Sequence, residues 1–289
     1  MSDNRDAPDW VIPLMRLGYS ARGVTYLIIG ALAFLAAWTG GQAEGTSDAL
    51  STLKQHPLGL VALWVIAIGM FAYAIWRFIC AWYDLEQRGT DAKAIIARIG
   101  QTVTGLIHLG IGVSVGRMAM GSSSSGGNGE SGAQSVTSWL MTLPYGTYIV
   151  MAVGVITIGA GVYYGYKGIA EKYKNHLMRT EWSEKLDPLV KAGLVAHGII
   201  IVMIGVFLIY AGINTDPGQA GGIGKAFQTV RSQPYGMFLL GALGLGTIAF
   251  AVYCFVEAVY RVVPQLAGPD MQTLASEAKG KARRAAASV

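Results

Sequence analysis

Apolar residues in this chain come in long uninterrupted runs, with neither the alternation of a half-buried strand nor the single stripe of a surface helix. Val24 to Trp38 holds no charged residue, and neither does Leu58 to Trp76. A hydrocarbon layer of ~30 Å is crossed by about 20 mostly apolar residues in helical form. Six stretches meet that requirement, near 22–40, 58–82, 101–120, 145–167, 190–212 and 235–260. Helix is the required form because lipid offers no partner to an unpaired amide. The pattern predicts an all-α bundle of six transmembrane spans.

The chain also writes its unit three times. Arg16-Leu17-Gly18, Gly23 and Gly30 return as Arg98-Ile99-Gly100, Gly105 and Gly112, and again as Lys191-Ala192-Gly193, Gly198 and Gly205, at unchanged spacing. Such self-similarity marks a repeated structural unit. An acid stands seven residues ahead of each basic residue, as Asp9, Asp91 and Glu184, and suits a helix N-terminus. Each unit is expected to begin with a short interfacial elbow, over 9–18, 91–100 and 184–193, that then turns into the bilayer. At the other end, Pro57-Leu58-Gly59, Pro144-Tyr145-Gly146 and Pro234-Tyr235-Gly236 follow small amphipathic segments. Each proline reads as the entry to an even-numbered span. The units are 1–90, 91–180 and 181–264, each an elbow and two spans, with a basic tail at 265–289. Copies of two spans all point the same way, which implies three parallel helical hairpins in a pseudo-threefold arrangement.

Residues seven apart on a helix fall ~20° off the same face. Gly23 and Gly30, Gly105 and Gly112, and Gly198 and Gly205 therefore give each odd span one bare stripe. In lipid, small residues let backbones approach and gain dispersion contacts. These six glycines read as helix-packing positions, on each other or on the even spans. A pore or ligand groove along the stripes is the alternative.

A net charge of +5 raises nucleic acid as a partner, and its distribution removes it. When segments are assigned to alternate sides, all Lys and Arg but four (Lys54, Arg117, Lys225 and Arg231) fall on the side of the two termini. The positive-inside rule then expects both termini in the cytoplasm, with the lipid bilayer as partner and another membrane protein as a further candidate. Acids and prolines between Asp3 and Pro13 argue against a cleaved leader. Cys80 and Cys254 read as small buried residues without a disulfide.

In its glycine pattern, its outer Pro-x-Gly and the aromatic and basic ends of its even spans, the chain resembles a bacterial family of integral membrane proteins of unknown function. That family is built from three tandem two-helix transmembrane repeats, and the resemblance covers about Pro8 to Pro264. It implies a six-helix protein of the inner membrane and carries over no catalytic or binding residue. The third copy departs from the pattern with Lys191 and Ala192, and only the first has its arginine at Arg77.

Charges inside a membrane usually serve function, so depth matters. Arg77 and Glu257 lie about 20–23 residues into their spans, close to one interface, with Arg22 and Lys167 at the same level. They read as snorkelling or paired, Arg77 with Glu257 as the ion pair to test, and the midplane reads as free of charge. His108 and His197 read as packing histidines, with haem ligation as the alternative. Counted from Arg98 and Lys191, their depths differ by roughly 6 Å. Gly112-Val113-Ser114-Val115-Gly116 imitates a nucleophile elbow, but Ser114 lies inside an apolar helix, ~15 Å in depth from His197. Gly112 and Gly116 read instead as a packing face. Metal and phosphate-loop motifs are absent. No catalytic residue and no cofactor is expected. The first functional expectation is a non-enzymatic structural or accessory subunit. Alternatives are a passive channel or carrier for a small neutral solute and a haem-dependent redox protein.

Overall fold

The computed structural model of the chain describes residues 10–40, 45–46, 49–51, 57–121, 129–178 and 180–264, the side chains of 129–131 excepted. The basic tail at 265–289 and Lys54 lie outside the described residues. In order come α1 (Val11–Thr39), α2 (Gly59–Tyr83), α3 (Ala92–Ala119), α4 (Gly129–Met141) and α5 (Gly146–Ile169). There follow α6 (Glu181–Lys185), α7 (Asp187–Asn214), α8 (Ile223–Arg231) and α9 (Gly236–Tyr260). Helices α1, α2, α3, α5, α7 and α9 are each long and apolar enough to cross a bilayer. Among the described residues the only β-type pairing is an isolated bridge, Leu177 with Arg261.

The elbows foreseen before the odd spans are not separate in the first two repeats. Helix α1 runs unbroken for 29 residues and α3 for 28. Pro13 falls in the first turn of α1, where its missing N–H costs no intrahelical bond. Asp91 caps α3 directly, accepting the Ala94 N–H at 2.8 Å. Only the third copy bends. There Thr180 and Ser183 form a capping box for the one-turn α6, and α7 restarts at Asp187-Pro188.

At the opposite end, α4 and α8 each lead through Pro-Tyr-Gly into an even span. Tyr145 and Tyr235 adopt left-handed backbone, φ 59° and 60°, and the next residue has to be glycine. A Cβ on Gly146 would strike the Leu140 carbonyl, and one on Gly236 the Arg231 carbonyl. The first copy differs, with Leu58 at φ −99°.

The glycine stripes do not face one another across the odd helices. Each lies on the even helix of the preceding repeat: α3 on α2, α7 on α5 and, closing the circle, α1 on α9. A Cβ at Gly198 would stand 2.6 Å from the Gly161 carbonyl oxygen, and one at Gly205 2.8 Å from that of Gly154. Gly30 meets the Gly244 oxygen at 2.9 Å, and Gly112 the Ala67 oxygen at 3.4 Å. Gly23 and Gly105 make room for the rings of Phe255 and Phe78. Ala67, Gly154 and Gly244 each stand ten residues after the proline of their repeat, so one seam is built three times. Gly116 is not part of it, since nothing lies within 4 Å of its would-be side chain.

Within repeats, α1 also packs on α2 and α7 on α9, whereas α3 and α5 share no comparable interface. Only 22% of the apolar stretch in α3 and in α5 is buried, against 56% in α2 and α9. The ring is open between the two spans of the second repeat.

Candidate functional site

All six spans send side chains to one buried polar cluster. Arg22 is 3% exposed and is the twelfth of the 29 residues of α1. It therefore does not snorkel. The helix begins at Val11, so Arg22 sits ~16 Å along it, a charge buried among the helices.

Aromatic faces surround its guanidinium. The centroids of Phe250, Tyr73 and Tyr26 lie 5.0, 5.2 and 5.5 Å from its central carbon. Arg22 Nη1 donates to Tyr73 Oη at 3.0 Å. Arg77, one turn along α2, donates its Nε to the same oxygen at 2.9 Å. His108 of α3 lies over the Tyr73 ring at 4.5 Å, with Nδ1 2.8 Å from the Thr104 carbonyl. His197 of α7 stacks on Phe250 at 3.7 Å, with Tyr164 of α5 edge-on at 5.0 Å. The two histidines thus rest on separate rings, each of which also faces Arg22.

These positions are equivalent by repeat. Arg22, Thr104 and His197 each precede the middle glycine of their copy, and Tyr26, His108 and Ile201 lie four residues on. Tyr73, Ala160 and Phe250 stand sixteen residues after the proline, and Arg77, Tyr164 and Cys254 twenty. The packing glycines repeat while the axial residues diverge. Comparing copies position by position would have found the cluster, whereas counting depth along each span missed it.

A second network ties the basic end. Glu257, fully buried, accepts from Tyr253 Oη at 2.6 Å, pairs with Arg261 just beyond the end of its own helix, and lies 3.9 Å from Lys167 Nζ of α5. Lys167 donates to Tyr253 Oη at 2.7 Å. The Arg77–Glu257 pair is not formed. Glu257 is 23 residues past its proline and Arg77 20, nearly a turn apart in depth, and Arg261 reaches Glu257 at i+4. Arg261 also binds Glu86 in the α2–α3 connection, which accepts from Arg88 Nε at 2.7 Å and Gln101 Nε2 at 3.0 Å. Burial alone would raise the Glu86 carboxyl, but Arg261 and Arg88 outweigh it and hold the group well below the usual carboxylate range. Burial, then the charge of Arg261, pushes His176 down to about 4. Backbone bonds from Met178 N to Tyr260 O and from Val262 N to His176 O, both 2.7 Å, complete the tie.

Among the described residues, five cations meet in these two networks: Arg22, Arg77, Arg88, Lys167 and Arg261. They share two carboxylates, Glu86 and Glu257, and neither reaches Arg22 or Arg77. Arg22 Nε, Tyr19 Oη and Trp76 Nε1 are buried without a partner. Cys80 and Cys254 are buried free thiols. No group of three His, Cys, Asp or Glu suited to a metal occurs among the described residues.

A threefold-repeated ring of six membrane-spanning helices, charged at its centre, defines a multi-pass membrane protein. The chain belongs to the family described as Domain of Unknown Function (DUF1206), which it matches at residues 17–84, 99–171 and 192–261, one block in each repeat. It is 28% identical over 261 residues to the uncharacterized protein YxxB of Bacillus subtilis (strain 168), covering 89% of this chain and 94% of that one. No solved structure matches it.

Proposed function

We propose that this protein lies in the bacterial cytoplasmic membrane with both ends in the cytoplasm and holds a small solute among its spans, as a carrier or channel does, without catalysis. The observation that carries this reading is Arg22, a desolvated guanidinium on which residues of every span converge. Taking such an ion out of water costs several kcal/mol, and charges inside membrane bundles mark solute paths. A bundle whose only task is to pack would place an apolar side chain there. The accessory-subunit reading rested on an apolar midplane and on the glycine stripes; buried Arg22 speaks against the first ground, and the stripes serve packing under either reading. The orientation rests on the basic residues gathered on the side of the termini.

Thermal unfolding of the full chain in neutral detergent, against a panel of charged and neutral metabolites, tests the reading. At least one solute is expected to raise Tm in a saturable way. No response from any solute, together with liposomes that pass none of them, would refute it. For orientation, a membrane-impermeant amine reagent on intact cells is expected to label Lys225 and spare Lys174; the reverse pattern would invert the topology.

A further inference from the structure

We propose that Arg22, Tyr73 and Arg77 form a binding site for a small soluble oxyanion, a carboxylate or a phosphate, where α1, α2 and α9 meet. This rests on the solute-holding reading above and gives the solute a chemical class, anionic where the sequence had suggested neutral.

Donors outnumber acceptors here. A phenol oxygen has two lone pairs and one proton. On Tyr73 both lone pairs are taken, by Arg22 Nη1 at 3.0 Å and Arg77 Nε at 2.9 Å. The phenol proton then has no acceptor among the described residues. Nearby, Arg22 Nε, Tyr19 Oη and Trp76 Nε1 are buried and unpartnered; the Tyr19 ring packs edge-on against Tyr73 at 5.1 Å and lies 5.9 Å from the Arg77 guanidinium. Every one of these groups can donate. A single species with several acceptor oxygens would answer them, and the guanidinium fork matches carboxylate and phosphate geometry.

Charge points the same way. Glu257 and Glu86 are engaged by Arg261, Arg88 and Lys167, so among the described residues Arg22 and Arg77 have no counter-charge of their own. Ring faces attract a cation but carry no net charge. The comparison inside the molecule is direct: the other deeply buried arginine, Arg261, has two carboxylates, and Arg22 has none. Lipid phosphates lie at the interface, whereas Arg22 is enclosed by the ring ~16 Å along α1. The anion therefore comes from solution.

The test is thermal unfolding of the full chain in neutral detergent with inorganic phosphate, acetate or succinate, against chloride at equal ionic strength. At least one oxyanion is expected to raise Tm with saturation. Arg22→Gln and Arg77→Gln are each expected to weaken its apparent affinity at least ~10-fold, Tyr73→Phe by less, and Lys225→Gln not at all. If Arg22→Gln does not fold, Arg77→Gln and Tyr73→Phe carry the same comparison. Stabilisation only by neutral solutes such as glucose would overturn the oxyanion while leaving the solute-holding reading intact; no response to any solute would sink both. An ionised tyrosine at neutral pH, seen in the near-ultraviolet difference between wild type and Tyr73→Phe, would supply the counter-charge internally and overturn the proposal. So would stabilisation by phosphatidylglycerol with none by the three soluble anions.

Discussion

Arg261 and Arg22 are both buried arginines, and their surroundings differ in kind. Arg261 is neutralised by Glu257 and Glu86, which makes it a structural tie, while among the described residues Arg22 meets aromatic rings and tyrosine hydroxyls and no carboxylate. The tie also sets a pH response through His176, whose charged neighbours are Arg261, Glu86, Glu257 and Lys167. His176 titrates at about 4 in the fold, against roughly 6.5 unfolded. As pH falls through that interval the unfolded chain takes up a proton that the folded chain refuses, so stability drops there and levels off below it. The loss is expected to be roughly 2 kcal/mol, allowing for water's screening of a partly exposed imidazole. His176→Gln should flatten unfolding between those two pH values. Glu86→Gln should lower stability across the neutral range and abolish the further loss below about pH 4.5, because a lowered carboxyl contributes fully above its unfolded value and loses that contribution as pH falls toward its folded one. Thermal unfolding across the pH range checks both. None of this was legible from residue spacing, since Arg22, Glu86 and Arg261 draw their meaning from partners far away in sequence.

At the level of helices, the stripes were legible and their partners were not. Three copies of one glycine spacing state that backbones approach closely, but an odd stripe could serve equally another odd helix, the even helix of its own repeat or that of the preceding one. Packing chose the neighbour between repeats, where Ala67, Gly154 and Gly244 offer a matching small residue. The elbows failed as separate elements for a related reason: an acid before a basic residue caps a helix equally well whether or not that helix later bends. The seam makes a graded prediction. Gly30→Ala and Gly205→Ala would each place a Cβ within 3.0 Å of backbone across the seam, and each is expected to cost about 1–3 kcal/mol as helices are forced apart. Gly110→Ala, two residues from Gly112 but with nothing within 4 Å, is expected to be neutral or slightly stabilising. Unfolding in detergent that ranked Gly110→Ala with the other two would show that lost backbone freedom, and not the seam, governs these positions.

At the scale of the whole molecule, the order of helices around the ring differs from their order along the chain. The first span packs on the last, and Val11 and Val263 share one apolar cluster with Met15, Tyr73 and Trp76. The break falls instead between α3 and α5, which are joined through α4 and share no interface like the other five. Continuity around the ring thus depends on the contact between the first and last spans, and not on the covalent link inside the second repeat. A circular permutant tests this: a linker joins the residues after Pro264 to those before Trp10, and new ends open between Gly121 and Gly129. It is expected to unfold cooperatively within a few degrees of wild type, since α3 and α5 share no interface like the other five for the cut to loosen. A second permutant, opened between Arg88 and Gly89, severs the connection that presents Glu86 to Arg261 and leaves that arginine short of a carboxylate. It is expected to lose several degrees, because breaking a buried pair from one side leaves an uncompensated charge. Should the first permutant aggregate while the second folds, the ring closes through the second repeat, and the seam between α1 and α9 is not what holds the six spans together.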